Sequence, residues 1–175
     1  MRRLLLLRHA KAERSPPGGR DHDRVLDARG RGDAPRLGAY MASHGLLPDR
    51  AIVSTSARTR ETWDLAAAQF KGRPPVLYEK RVYEAAARDI LQVVKEAPPE
   101  AQTLLLVGHN PGMQELAALL ITAGDLEARQ RLNEAFPTAG LAVIDFALDA
   151  WSRLHPHSGR LERFVTARSL TAATD

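Results

Sequence analysis

Two short, uninterrupted apolar runs constrain this chain most: residues 4–7 (LLLL) and 103–107 (TLLLV). Runs of this length without polar alternation suit strands buried on both faces, as in a parallel sheet covered by helices. Both lead at once to a histidine, through Arg8 to His9 and through Gly108 to His109. Around them, a strand at 51–54 leads into an Ala-rich helical stretch at 56–70, and a weak strand at 76–78 precedes a helix near 88–96. Leu37, Tyr40 and Met41 recur at helical spacing within about 28–44, with Asp27 as N-cap and Gly45 just past the end. TLLLV runs through Gly108-His109-Asn110-Pro111-Gly112 into an apolar helix expected to end near residue 121, and 141–146 with 161–165 read as a terminal hairpin. Strands alternating with helices give an α/β class: a three-layer sandwich with a mostly parallel central sheet flanked by helices. Residues 10–26, with Pro16-Pro17-Gly18-Gly19 and Asp21-His22-Asp23-Arg24, lack periodicity and form a long loop.

At 175 residues and roughly 150 per domain, one domain over 1–175 is expected. The 44% hydrophobic content supplies one sizeable core, and excludes a disordered chain. Twenty-five bases, 21 of them Arg, face 21 acids. The resulting pI near 9.8 permits nucleic-acid binding, but the bases are scattered and aromatics reach only 5%, so no nucleic-acid partner is expected. Cysteine is absent, which removes disulfides, thiolate zinc sites and a cysteine nucleophile. The N-terminal apolar run falls short of the ~7 to 15 residues of a signal peptide's core, and no run approaches the ~18 of a membrane span. A cytoplasmic setting without a membrane partner is the expectation.

In open α/β sheets, ligands bind beyond the carboxyl ends of the strands. His9 and His109 leave two such ends and can face each other there, although a hundred residues separate them. The strand at 51–54 delivers Arg58 to the same edge, in the first turn of the next helix. Arg8, His9, Arg58 and His109 thus form one cluster. Two imidazoles among guanidinium groups suit a phosphoryl group, because Arg presents planar paired donors to its oxygens. A metal site is the rival reading, but neither histidine lies in an HxH or HExxH spacing, and the arginines repel a cation. The other four histidines, His22, His44, His155 and His157, sit in predicted loops or at a helix end. No GxxxxGK[ST] or GxGxxG motif supports a nucleotide fold.

The segments LLLLRHAKA, HDRVLDARGRGDAPRLG, IVSTSARTRETW, VLYEKRVYEA, LLLVGHNPG and FPTAGLAVIDF occur in an order that resembles the histidine phosphatase superfamily, in its small SixA-type phosphohistidine phosphatase branch. The resemblance spans roughly residues 3–168 and implies a phosphoglycerate mutase-like fold. It implies that His9 attacks phosphorus and is transiently phosphorylated, while Arg8, Arg58 and His109 bind the phosphoryl oxygens. It places Arg24 at the border of the phosphate pocket. No cofactor is implied. Neighbouring Arg8 and Arg58 help to keep His9 uncharged by like-charge repulsion, and compensate charge in the transition state.

Larger members of the superfamily carry a glutamate or aspartate that protonates an oxygen leaving group. Here the equivalent segment reads YEKRVYEAA, with Glu79 and Glu84 as candidate general acids, or simply as solvated carboxylates. The absence of a clear acid favours phosphoramidates, hence phosphohistidine on a protein partner. The alternatives are a small phosphorylated metabolite, with Glu84 as acid, and a phosphate-binding interaction module without turnover. With no metal-ligand spacing around His9 or His109, activity is expected to survive a strong chelator. Loss on chelation, restored by zinc or magnesium, would move both histidines into a metal site.

Overall fold

The computed structural model describes residues 1–174, with side chains through residue 170. Strand β1 (Arg2–Arg8) pairs in parallel with β4 (Thr103–Gly108) and antiparallel with β6 (Leu141–Phe146). With β2 (Arg50–Val53), β3 (Val76–Tyr78), β5 (Ile121–Gly124) and β7 (Gly159–Val165) they make one seven-stranded sheet, in the order β3-β2-β4-β1-β6-β7-β5. Only the pairings of β6 are antiparallel, so the sheet is mostly parallel as expected.

The leucine run is buried on both sides because alternate residues face opposite layers. Leu5 and Leu7, with Leu105 and Val107, pack against Leu37 and Met41 of α1 (Ala28–Ser43) and Trp63 of α2 (Ala57–Ala67). Leu4 and Leu6, with Leu104 and Leu106, pack against Ile90 and Val94 of α3 (Ala87–Lys95), and Met113 and Leu116 of α4 (Gly112–Leu120). Leu132 of α5 (Leu126–Glu134) joins the second layer and Leu170 of α6 (Ala167–Thr174) the first. All four leucines of β1 are fully buried, a burial that contributes roughly 1.5–3 kcal/mol each before chain entropy is counted. Among the described residues, no helix is long and apolar enough to cross a membrane.

Local signals set most boundaries. Asp27 caps α1, its carboxylate accepting from Gly30 N at 2.8 Å, and Gly45 follows with φ +68°, the left-handed conformation that ends many helices. Ser56 caps α2. The loop of residues 10–26 is pinned at its far end, where Ala12 bridges to Leu26 and Leu26 N donates to Glu61 of α2 at 2.9 Å.

Three elements depart from the sequence-based expectation. The helix after TLLLV stops at Leu120, and Ile121–Gly124 forms edge strand β5 beside β7. Only Ile121 of that strand is buried, so its own pattern carries no strand signal and the partner imposes it. Helices α5 and α6 were likewise not expected; in α5 only Ala128 and Leu132 are buried, too few to show helical periodicity.

Helices α1 and α2 touch closely at Gly38, where an added Cβ would stand 2.3 Å from the carbonyl oxygen of Ala66. Gly38→Ala should therefore destabilise the protein by about 1–3 kcal/mol through backbone displacement. Gly32, in the same helix, has nothing within 4 Å of such a Cβ, and Gly32→Ala should stabilise by about 0.5–1 kcal/mol. Urea midpoints of the two variants should shift in opposite directions, and a shift in the same direction would contradict this packing.

Candidate active site

The register Arg8↔Gly108 between β1 and β4 brings both chains off the sheet side by side, and His9 N donates to Gly108 O at 3.1 Å. The rings of His9 and His109 consequently lie 5.4 Å apart, tilted by 55°. Strand β2 continues the same edge, with Ser54 N donating to Val107 O at 3.0 Å, and α2 starts three residues later with Arg58 in its first turn. Thr62 of α2 ties the two segments, its hydroxyl donating to Arg58 O at 2.7 Å and accepting from Ala10 N at 3.0 Å. His9, Arg58 and His109 are all buried. Half-buried Arg8 donates through Nη1 to Phe136 O at 3.0 Å. The four residues grouped by sequence share this edge.

His9 Nδ1 lies 2.7 Å from Ala10 O. A carbonyl can only accept, so Nδ1 carries the hydrogen and Nε2 is left with its lone pair. Burial pushes the His9 pKa down to about 4, against the opposing Ala10 bond; Arg58, Arg8 and Arg24 push it further. Desolvation thus outweighs the arginine repulsion that the sequence suggested. His109 is pushed down to about 3, again first by burial and then by His9 and Arg58. Its Nε2 is 2.7 Å from the Ser54 hydroxyl. Among the described residues, Nδ1 of His109, Nε of Arg8 and Nε of Arg58 are buried without a protein partner. Each such buried polar group costs roughly 1–3 kcal/mol when unpaired, so the site holds polar groups suited to an oxyanion.

Asp21 and Tyr83, which the sequence did not single out, also join the candidate site. Asp21 lies in a 3-10 turn, Asp21–Asp23, within the long loop. Its Oδ2 accepts from Arg58 Nη2 at 3.1 Å and from the Tyr83 hydroxyl, while its backbone oxygen accepts from Arg58 Nη1 at 2.8 Å. Its Oδ1 accepts from Arg24 Nη1 at 3.0 Å. The Tyr83 hydroxyl and the two guanidinium groups hold the carboxyl well below the usual range. Tyr83 is pushed up to about 12 by burial and by Asp21, and its ring meets those of His109 and His22 edge-on, at 5.3 and 4.9 Å.

Arg24 therefore reaches the cluster through Asp21, and its Nε is anchored on Glu13 O at 2.7 Å. Glu79 is committed elsewhere: it caps Arg81 N and pairs with the Arg81 side chain at 2.8 Å. Glu84 is exposed, has φ +52°, and lines a cleft beside Tyr83 and Asp21. A polar loop reading DHDR looks solvated in sequence; the pairing of Asp21 with Arg58, 37 residues away, is legible only in three dimensions.

A neutral, buried imidazole with a free lone pair among guanidinium groups defines a site for phosphoryl chemistry at the carboxyl edge of an α/β sheet. Residues 4–90 match the family model of the histidine phosphatase superfamily, branch 1. An uncharacterized protein of Mycobacterium tuberculosis, Rv1276c, is 34% identical over 164 residues, covering 93% of this chain and 100% of the relative. A solved structure provisionally named phosphohistidine phosphatase SixA, from Agrobacterium tumefaciens, superposes with TM-score 0.76 at 32% identity, covering 94% and 97% of the two chains. One similarly named, from Nakamurella multipartitia, gives 0.83 at 29%, covering 94% and 95%. The chain belongs to the histidine phosphatase superfamily and is a phosphatase of it.

Both histidines have folded-state pKa values below the ordinary ~6.5. The unfolded chain then binds more protons between about pH 6.5 and 4, so these groups make stability fall as the pH drops through that window. In NMR titrations, the His9 ring, assigned with His9→Ala, should change charge with a midpoint near 4. A midpoint near ~6.5 would mean that burial does not keep the ring neutral.

Proposed function

We propose that this phosphatase hydrolyses phosphohistidine on a protein through a phosphorylated His9, with residues 1–175 acting as one domain. The observation that carries the reading is the bond from His9 Nδ1–H to Ala10 O, which reserves Nε2 for attack in a ring that burial keeps uncharged. In the first step the Nε2 lone pair forms a bond to phosphorus, and the electrons of the bond to the leaving group depart with that group. In the second, water attacks phosphorus, the P–Nε2 electrons return to His9, and phosphate leaves. Arg8, Arg58 and His109 hold the phosphoryl oxygens in this reading, with the unpartnered nitrogens of all three as supporting observation; Arg24 acts at the border through Asp21.

The leaving-group side supports a phosphoramidate. Glu79 is tied to Arg81, and Asp21 is held ionised by its donors. An alkoxide needs a proton donor to depart, whereas an N-phosphorylated imidazole already protonated on its distal nitrogen leaves as neutral imidazole without one. No metal is included: among the described residues, no three His, Cys, Asp or Glu side chains are grouped to hold one. A cytoplasmic setting belongs to the reading and accords with a chain lacking cysteine. The second reading, a phosphatase of small phosphomonoesters, has one specific observation: the exposed Glu84 lines the cleft next to Tyr83.

Turnover of a phosphohistidine protein should be measured beside a panel of alkyl and aryl phosphate monoesters, with acid-quench trapping of the enzyme. The expected result is phosphate on His9, a preference for the phosphohistidine protein and aryl esters over alkyl esters, and a loss of at least ~10³ in turnover for His9→Ala. Alkyl phosphates cleaved as fast as phosphohistidine, with that activity lost selectively in Glu84→Gln, would replace the substrate assignment by the second reading.

A further inference from the structure

We propose that the cleft beside the phosphoryl site seats the leaving imidazole of the substrate, with the Asp21 carboxylate accepting the N–H of that ring's distal nitrogen. The inference rests on the phosphohistidine reading and adds to it a residue that selects the leaving group.

The cleft measures about 390 Å³ and is walled by Asp21, His22, Thr55 and Tyr83. It adjoins the proposed phosphoryl site through two contacts: Asp21 on the Arg58 guanidinium, and the Tyr83 ring on His109. Asp21 and Tyr83 therefore stand between the cleft and the residues proposed to hold the phosphoryl group. Two of its walls are rings, and His22 is held in place by Thr55, with Nε2 2.9 Å from Oγ1. The two rings meet each other edge-on at 4.9 Å and together give the cleft an aromatic border. The Asp21 side chain is 43% exposed, so a side chain presented from a protein surface can reach it.

Acceptor capacity points the same way. A carboxylate offers about four lone-pair positions. Arg58 and Tyr83 take two on Oδ2 and Arg24 takes one on Oδ1, which leaves Oδ1 able to accept once more. Its neighbours are the Arg58 and Arg24 guanidinium groups and the neutral Tyr83 hydroxyl, with Arg20, His22, Lys80 and Glu84 lining the same cleft.

The chemistry explains why an ionised carboxylate serves here. Asp21 in this state has no proton to give, so it cannot assist an alkoxide. An N-phosphorylated imidazole protonated on its distal nitrogen needs none. As His9 Nε2 bonds to phosphorus, the P–N electrons pass to the proximal nitrogen, and the cationic ring departs as neutral imidazole still carrying its distal N–H. The carboxylate favours that reactive protonated form by its hydrogen bond and its own charge, against the opposing charges of Arg58, Arg24, Arg20 and Lys80.

The test compares Asp21→Asn with wild type on N-phosphoimidazole and on 4-nitrophenyl phosphate. Asn keeps a carbonyl oxygen for Arg58 and Tyr83 but loses the charge. We expect kcat/KM for phosphoimidazole to fall by at least ~50-fold and for the aryl ester by no more than ~5-fold, the latter through slackened Arg58. The alkaline limb of the phosphoimidazole pH profile should also move down by about one unit in the variant, since less of the bound ring stays protonated. Equal losses on both substrates with an unmoved limb would overturn the inference and reduce Asp21 to a positioning residue for Arg58. That result leaves the covalent reading standing wherever wild type still traps phosphate on His9. A wild-type enzyme that cleaves neither compound and traps no phosphate overturns both.

Discussion

The parallel pairing of β1 with β4 is the constraint on which the rest of the site depends. Its register places Arg8 against Gly108, and one further bond, His9 N to Gly108 O, carries the ladder past the strand end. The leucines do not specify that register. A slip of one residue in a strand exchanges its two faces, and in LLLL both faces carry the same residue. Polar contacts at the strand ends supply what the apolar pattern lacks. Arg3 pairs with Asp145 of β6 at 2.7 Å, Asp49 accepts from the backbone of Gln102 and Thr103, and Ala139 N donates to the carbonyls of Arg8 and His9. The core drives burial; the ends decide which residue emerges at the edge of the sheet.

Burial at that edge sets the chemistry through desolvation. A histidine in water is part-charged near neutral pH, and the two rings lose that charge chiefly because they are enclosed. The two arginines keep theirs and need compensation. Arg58 finds it in Asp21, whereas Arg8 has only the carbonyl of Phe136, so its pKa is lowered by burial and by Arg58. The fold thus tolerates a cationic, partly unsatisfied pocket, which destabilises the free protein and favours an oxyanion that pairs with it.

What the sequence made legible follows from how each feature is built. His9, Arg58 and His109 follow strands whose burial shows as local composition, and Ser56 marks the start of the helix that carries Arg58. Sheet class and terminal hairpin were readable for the same reason. Edge strand β5 and helix α5 were not, because β7 and the core impose their structure with few apolar residues of their own. Asp21 and Tyr83 escaped for a different reason. Each is polar in a segment without periodicity, and their importance lies in meeting each other and Arg58 across 62 and 37 residues. The resemblance points instead to Glu79 and Glu84 as the carboxylates nearest an acid role. The structure shows one of them bound to Arg81 and the other exposed.

This division separates two kinds of residue by what holds them. The groups assigned to the phosphoryl oxygens sit on strand ends and a helix start, where a change in backbone disturbs the core. The groups around the leaving-group cleft sit on the loop of residues 10–26 and on the turn after β3, held by side-chain bonds to Arg58, Thr55 and one another. Such segments can change in sequence while the sheet stays intact. Similarity over most of the chain therefore fixes the fold and the phosphatase class, and leaves the leaving group to a handful of loop residues. Asp21 belongs to both sets, since the same carboxylate that borders the cleft also orients the guanidinium proposed to hold the phosphoryl group. A substitution there disturbs substrate choice and the core chemistry together, so the two effects are told apart only by comparing two leaving groups in the same variant.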